Sequence, residues 1–152
     1  MRNSFSRLLS CYLDRIVGRY NTRPRRQLNR LLGTTLTDEV TFDQFIKAIC
    51  EQESVKMNDH WRDQYSSLLR GRVKFDFIGR FENIADDLRT VFQATIPHSD
   101  LYRRVEKQNK SPQTTSASNL LSQFYSDELT SFVAERYAKD FEVYGYDKPL
   151  PK

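Results

Sequence analysis

The sequence predicts a mostly α-helical domain that contains one strand–turn–helix unit. Three features predict it: an apolar stripe at helical spacing near the start of the chain, a capping-box helix in the middle, and an alternating apolar segment followed by another helical stripe. With 152 residues, of which 38% are hydrophobic, the chain is one domain's worth and can bury a sizeable core. We therefore expect a single folded domain.

The first predicted helix begins near Asn3, a favoured N-cap residue type. Its apolar stripe, most simply core packing, consists of Phe5, Leu8, Leu9, Tyr12, Leu13 and Ile16. Arg2 and Ser10 lie eight positions apart around this helix start. Unpaired backbone N–H groups, a guanidinium and a hydroxyl that converge there could bind phosphate, although both residue types are common at helix starts.

A basic segment follows the first helix. It consists of Arg19, Arg23, Arg25, Arg26 and Arg30, which flank Pro24. Such a run is usually a solvated helix face, and its alternative role is to guide an anionic polysaccharide or a nucleotide. The sequence leaves both interpretations open.

Thr41 and Gln44 form a capping-box pattern that begins the next predicted helix. The apolar positions of this helix are Phe42, Phe45, Ile46 and Ile49. Residues 53–72 are polar and irregular, and they contain His60 and Trp61.

The strand–turn–helix unit comes next. Its predicted strand consists of the alternating apolar residues Val73, Phe75 and Phe77 and ends at Gly79. Its predicted helix carries Ile84, Leu88, Val91 and Phe92 and is stopped by Pro97.

The last third of the chain begins with residues 103–119, which have almost no apolar side chains and are expected to form a long mobile loop. Ser126 is the expected N-cap of the final helix, and Gly145 is the expected stop. The apolar face of this helix is Leu129, Phe132, Val133 and Tyr137.

Charge and cysteine content narrow the function classes. The net charge of +4 comes from 24 basic and 20 acidic residues, a balance that suits an anionic ligand and does not require nucleic acid. Cys11 and Cys50 lie in apolar helical patterns and are expected to be buried thiols. Since no run approaches the roughly 20 apolar residues of a membrane span, we expect a cytoplasmic protein.

Four segments resemble the family-2 carbohydrate sulfotransferases of the chondroitin, dermatan and HNK-1 types. Arg-Asn-x-Phe-Ser-Arg-Leu-Leu-Ser at residues 2–10 resembles the 3′-phosphate-binding segment of that family. His60-Trp61, the stretch 75–84 and the final helix, residues 124–146, follow in family order, and Phe-Asp-Phe-Ile-Gly-Arg-Phe-Glu-Asn at 75–83 is the most specific piece. The resemblance implies an α/β, P-loop NTPase-like sulfotransferase fold, of which this chain is a mostly helical part.

The resemblance also implies an activity, the transfer of a sulfuryl group from 3′-phosphoadenylyl sulfate (PAPS) to a hydroxyl. The expected acceptor is a carbohydrate, and the reaction requires no metal. Arg2 and Ser10 would hold the 3′-phosphate of PAPS. Arg7 would be a further partner or simply a surface residue. Lys107 and Lys110 would close over the nucleotide or belong to a solvated loop.

A histidine suits the general base, because its ordinary pKa allows proton transfer near neutral pH. His60, in the family-like His-Trp pair, is the candidate for the base or for an acceptor contact, and its alternative is a structural loop histidine. Trp61 would be available to stack on a sugar ring. Glu82 is a weaker candidate, either as the base or as a residue that holds the acceptor, and it could equally sit at the N-terminus of the following helix. His98 has no assigned role.

Two departures from the family pattern shape these expectations. The Lys-containing loop that wraps the 5′-phosphosulfate in the family precedes the Arg-Asn segment and has no counterpart after Met1, and Ser4 stands where the family usually has Pro. Residues 1–146 are therefore expected to be a partial, N-terminally truncated domain, inactive alone, with residues 147–152 as a tail. A start codon assigned too late would explain this, and animal relatives carry a Golgi anchor upstream.

The alternative function, from another class, is a non-catalytic helical module that binds anionic polymers through the basic segment. A decaying gene product without a stable fold is a third reading. The ordered series of family-like segments across the chain argues against both.

Overall fold

Helices form nearly all of the regular structure in the part of the chain that the computed structural model describes, residues 1–18, 21–68, 72–96 and 117–148. The α-helices are α1 (Ser4–Cys11), α2 (Arg23–Leu32), α3 (Phe42–Cys50), α4 (Gln64–Ser67), α5 (Ile84–Thr95), α6 (Leu121–Phe124), α7 (Asp127–Arg136) and α8 (Ala138–Tyr144). α1 continues as a π-helix over Tyr12–Val17, and 3₁₀ turns cover Ser54–Lys56, Phe81–Asn83 and Ala117–Leu120.

The helix starts follow the capping residues predicted from the sequence. The Asn3 side chain accepts hydrogen bonds from the N–H groups of Phe5 and Ser6 at the start of α1. Thr41 and Gln44 form both hydrogen bonds of a capping box at the start of α3. The Ser126 side chain accepts from the Leu129 N–H at the start of α7, so these three predictions are confirmed.

α1 lies at the centre of the core and packs against α6, α7 and the 3₁₀ turn that precedes α6. The predicted stripe is buried, with Phe5, Leu8, Leu9 and Ile16 fully excluded from solvent. The Phe5 ring packs edge-on against Tyr125 at 5.2 Å and, tilted, against Phe141 at 5.1 Å. This packing fixes which face of α1 points away from the core.

The predicted strand is wrong in its extent. Of residues 72–80, only Val73 makes a single β-bridge, while Phe75 and Phe77 are exposed. The alternation does not reflect one buried face, because in the described residues no neighbouring strand runs beside this segment to form a ladder. α5 does form as predicted, but none of its side chains is fully buried.

Gly79 and Phe81 make two backbone hydrogen bonds with the start of the chain. The Met1 amino group donates to the Gly79 carbonyl, and the Phe81 N–H donates to the Met1 carbonyl at 2.5 Å. Gly79 and Arg80 are nevertheless irregular, and Phe81 begins a 3₁₀ turn, so these bonds form no strand. They place residue 2 directly beside the Arg80–Glu82 segment.

The basic segment contains a helix that the sequence reading did not delimit. Thr22 caps α2, Pro24 occupies its first turn, and Gly33 ends it with a φ of 66°. Arg25 is buried and donates to the carbonyls of Ile16 and Asp38, whereas Arg23, Arg26 and Arg30 are exposed. The segment is therefore partly structural and partly a solvated face.

The final helix divides in two at Tyr137, whose φ of −105° and ψ of 23° interrupt the helical repeat. The Tyr137 hydroxyl is directed inward and donates to the Trp61 carbonyl at 2.6 Å. Gly145, with a φ of 63°, ends α8 as predicted.

Several sequence expectations lie outside the described residues. They concern Arg19, Pro97, His98, Lys107, Lys110, residues 103–116 of the predicted loop and residues 149–152 of the tail. Of the helices within the described ranges, none is long and apolar enough to cross a membrane.

Candidate functional site

Three polar side chains lie at the start of α1. Arg2 precedes the N-cap Asn3 and lies outside the helix, whereas Ser6 and Ser10 lie one turn apart within it; Ser6 is buried, and Arg2 and Ser10 are half-buried. Arg2 Nε donates to Ser6 Oγ at 3.2 Å, which holds the guanidinium against the first turn of α1. Among the described residues Arg2 donates no side-chain hydrogen bond from its terminal Nη atoms, which leaves the planar fork available for an anion.

The backbone amides at the start of α1 do not contribute to such a site, contrary to expectation. Asn3 Oδ1 accepts from the N–H groups of Phe5 at 2.9 Å and Ser6 at 3.4 Å. The N–H of Asn3 itself donates to Glu82 Oε1 at 2.9 Å. Because the cap residue satisfies these donors internally, anion binding here has to rest on side chains.

The Arg2 guanidinium lies against an aromatic ring. Its Cζ atom is 4.9 Å from the centre of the Phe81 ring. Burial lowers the pKa of Arg2, and the negative charge of Glu82 opposes that shift. A guanidinium that has already lost part of its hydration has less solvation to give up when an anion binds.

The backbone around Arg2 is fixed by Gln64, which sequence reasoning did not identify. Gln64 Oε1 accepts from the Arg2 N–H at 3.0 Å, and Gln64 Nε2 donates to the Arg2 carbonyl at 2.8 Å. The buried carboxylate of Asp140 accepts in turn from the N–H groups of Gln64 and Tyr65, at 2.8 Å and 2.7 Å. No local sequence signal marks Gln64, since its function depends on a contact between residues 62 positions apart.

Arg7 is directed to a different part of the molecule. Its guanidinium donates to the carbonyls of His60 at 3.3 Å and Arg62 at 2.8 Å. Arg7 is therefore not a purely solvated side chain, and its role beside the 3′-phosphate stays a prediction. Arg7 anchors the loop that carries His60 to α1.

The His60 imidazole is held in one tautomer. Its Nδ1 lies 2.7 Å from Asn58 Oδ1, while Asn58 Nδ2 donates to Gln27 Oε1 at 2.9 Å. Since an amide oxygen can only accept, Nδ1 carries the proton and Nε2 carries the lone pair. Burial and the charge of Arg15 lower the pKa of His60, which favours the neutral form that can accept a proton.

Trp61 cannot stack on a sugar, and that expectation is wrong. The indole is fully buried, packs edge-on against Phe45 at 5.9 Å and donates from Nε1 to Gln52 Oε1 at 3.1 Å. The aromatic side chain that follows His60 therefore belongs to the core.

Both carboxylate oxygens of Glu82 are occupied. Oε1 accepts from the Asn3 N–H, and Oε2 accepts from the Tyr146 hydroxyl at 2.7 Å. Burial and the Glu82 carboxylate raise the pKa of Tyr146, so its hydroxyl keeps the proton that it donates. Glu82 thus connects the start of α1 to Tyr146, just after the end of α8. The sequence did not suggest this role.

Comparison with known proteins gives a consistent result. The profile described as "Sulfotransferase family" matches residues 1–147. Carbohydrate sulfotransferase 11 of Mus musculus is 26% identical over 166 aligned residues that cover 98% of this chain and 46% of that protein. Carbohydrate sulfotransferase 14 of Homo sapiens is 26% identical, with 99% of this chain and 42% of that protein covered.

A third relative, carbohydrate sulfotransferase 8 of Mus musculus, is 24% identical over 99% of this chain and 39% of its own length. The chain thus spans less than half the length of these relatives. No solved structure gives a significant match.

Proposed function

This chain belongs to the sulfotransferase family, and on that basis we propose that it takes part in the transfer of a sulfuryl group from PAPS to a hydroxyl of a carbohydrate. The named relatives are carbohydrate sulfotransferases, which supports the acceptor class. The parent fold in this proposal is the P-loop NTPase-like α/β fold. The family membership supports it, since the fold is the one that the family implies.

One observation carries the donor assignment: the open guanidinium fork of Arg2 at the start of α1. An arginine fork can hold a phosphate by two hydrogen bonds, and in this proposal the hydroxyl of Ser10, about two turns further along the chain, adds a third. We assign the 3′-phosphate of PAPS to this helix start. Lys107 and Lys110 remain proposed nucleotide contacts that lie outside the described residues.

His60 is the proposed general base. The acceptor oxygen attacks the sulfur while its proton passes to His60 Nε2, and the bond between sulfur and the 5′-phosphate oxygen breaks. Adenosine 3′,5′-bisphosphate leaves with the electron pair of that bond, and the proton on His60 then returns to solvent. Asn58 holds the other ring nitrogen protonated, which keeps Nε2 ready for this step.

The first test is calorimetric titration of the chain with adenosine 3′,5′-bisphosphate. We expect Arg2→Ala to weaken binding by about 10- to 100-fold, since hydrogen bonds to charged groups contribute roughly 1.5–3 kcal/mol. Arg2→Lys should recover only part of the loss, because an ammonium keeps the charge but not the fork. Arg23→Ala, which removes an exposed arginine of the basic segment, is the matched control and should leave the affinity unchanged.

The same titration distinguishes the proposed donor site from the alternative function, a module that binds anionic polymers. Equal losses from Arg2→Ala and Arg23→Ala, with steep salt dependence and no preference for the nucleotide over other anions, would show a general polyanion-binding module. That result would overturn the donor assignment.

A further inference from the structure

Four side chains from distant parts of the chain surround residues 1–3, and two of them contact Arg2 itself. Gln64 holds its N–H and carbonyl, and the Phe81 ring lies beside its guanidinium. Glu82 accepts from the next N–H in the chain, that of Asn3, and the Tyr146 hydroxyl lies 2.7 Å from Glu82 Oε2 and 3.1 Å from the Met1 carbonyl oxygen, so its one proton is shared between them.

We infer that Glu82 and Phe81 are positioning residues, which act on the 3′-phosphate of the donor only through Arg2. This inference rests on the proposed function, since it assumes that Arg2 binds that phosphate. It replaces the expectation that Glu82 is a base or contacts the acceptor, because each of its carboxylate oxygens already accepts a hydrogen bond from this chain.

Glu82 and Phe81 position Arg2 in different ways. Glu82 fixes the direction in which the chain leaves residue 2, through Asn3 on one side and Tyr146 on the other. Phe81 limits where the guanidinium itself can lie, because a ring face attracts a cation at 4.9 Å. Ser6 Oγ then sets the rotation of the guanidinium through Nε.

Neighbouring groups keep Glu82 and Phe81 in place. The Phe81 N–H is bonded to the Met1 carbonyl. Arg80 donates to the Tyr144 and Gly145 carbonyls at 2.8 Å and 3.1 Å, and its guanidinium stacks on the Tyr146 ring at 5.1 Å. The segment that resembles the family most specifically thus clamps the end of α8 against the start of α1.

The decisive experiment compares two nucleotides by calorimetry. Adenosine 3′,5′-bisphosphate carries the 3′-phosphate and adenosine 5′-monophosphate lacks it, so the ratio of their affinities isolates the contribution of that group. We expect Phe81→Leu to lower this ratio about two- to fivefold, the range of an exposed cation–π contact, because the Phe81 ring is 53% exposed. We expect Glu82→Ala to lower it at least about tenfold, because the Asn3 N–H loses its acceptor.

Two controls test whether Glu82 and Phe81 act through Arg2. Glu82→Gln keeps an oxygen acceptor for Asn3 and should restore the ratio to within about twofold, whereas a base or a required negative charge would not be rescued. In an Arg2→Ala background, Phe81→Leu should have no further effect, because a residue that acts through Arg2 has nothing left to position. Equal losses for both nucleotides, or a full effect of Phe81→Leu without Arg2, would overturn the inference.

A second readout does not require the nucleotide. The Arg2 Nε–H, identified by its disappearance from the ¹⁵N spectrum in Arg2→Lys, should exchange slowly with solvent and exchange faster in Glu82→Ala and Phe81→Leu. Unchanged exchange would overturn the positioning role even if the nucleotide binds. If the native chain shows no preference for the bisphosphate while exchange changes as expected, the proposed donor site fails and the positioning of Arg2 stands.

Discussion

Asn58 determines which nitrogen of His60 is available for chemistry. Its carboxamide oxygen accepts from Nδ1 and also from the His60 backbone N–H at 3.0 Å, so the imidazole is fixed in orientation as well as in tautomer. Arg15 contributes a positive charge nearby that disfavours the imidazolium. The local surroundings of His60 thus favour a neutral ring at physiological pH.

We predict that His60 titrates below the ordinary histidine value of 6.5 and that Arg15→Gln raises its pKa. Between the lowered pKa and 6.5 the unfolded chain binds more protons than the folded chain, so the free energy of unfolding rises with pH across that window. A ¹H NMR titration of the imidazole measures the pKa, with His98→Gln to assign the two histidine signals. A pKa at or above 6.5 in the folded chain would contradict the prediction.

Burial of Trp61 leads to a second prediction at this scale. Trp61→Ala should lower the free energy of unfolding by about 3–5 kcal/mol, because a large buried aromatic side chain leaves a cavity behind. Phe132→Ala is the control, since Phe132 is 40% exposed and should cost much less. Urea unfolding followed by circular dichroism measures both, and a negligible loss for Trp61→Ala would restore its role as an exposed sugar platform.

At the scale of elements, the helix ends were predictable and the strand was not. Asn3, Thr41, Ser126 and Gly145 act on groups within a few residues of themselves, so the sequence alone contains the necessary information. The segment from Val73 to Phe77 has strand-like alternation, but a strand also requires a partner, and partners are not encoded locally. For the same reason the break at Tyr137 was missed, because it accompanies a contact with Trp61.

The two glycines that end helices provide a matched comparison. Gly33 and Gly145 have φ values of 66° and 63°, so Ala at either position carries a similar backbone cost of about 1–2 kcal/mol. A Cβ on Gly145 would lie 2.7 Å from Arg80 Nη2, whereas a Cβ on Gly33 would have no neighbour within 4 Å. We therefore predict that Gly145→Ala destabilises the protein more than Gly33→Ala.

Thermal unfolding of the two variants measures this difference directly. In an Arg80→Ala background, which removes the close contact, Gly145→Ala and Gly33→Ala should have equal effects. If Gly145→Ala remained the more costly substitution there, the clamp between Arg80 and the end of α8 would not be its cause.

At the scale of the whole molecule, the candidate site is assembled from segments far apart in the chain. Arg2, Ser10, His60 and Glu82 were all candidates from sequence, because each stands in a family-like segment. What the sequence did not reveal is that Gln64 and Asp140 connect these segments, or that Glu82 holds Asn3. Such roles depend on side-chain contacts across the fold, which residue type and spacing do not specify.

Substitution of Asp140 tests whether these side-chain contacts stabilise the fold. It is 1% exposed and accepts from the Gln64 and Tyr65 N–H groups and from Ser4 Oγ at 3.4 Å. We predict that Asp140→Ala lowers the free energy of unfolding by about 2–5 kcal/mol, because buried donors lose a charged acceptor. Asp140→Asn should cost less, since it retains one acceptor oxygen, and urea titration of both variants would show whether that order holds.

The hydrogen bond from Tyr146 to the Met1 carbonyl joins residues 145 positions apart and has a consequence for how the protein is made. The surroundings that orient the Arg2 guanidinium are complete only once α8 and Tyr146 have left the exit tunnel of the ribosome. The proposed nucleotide affinity should therefore appear abruptly when Tyr146 has emerged rather than growing with chain length. It should also vanish when a protease removes α8 and Tyr146, which would make nucleotide binding a sensitive test that this segment is intact.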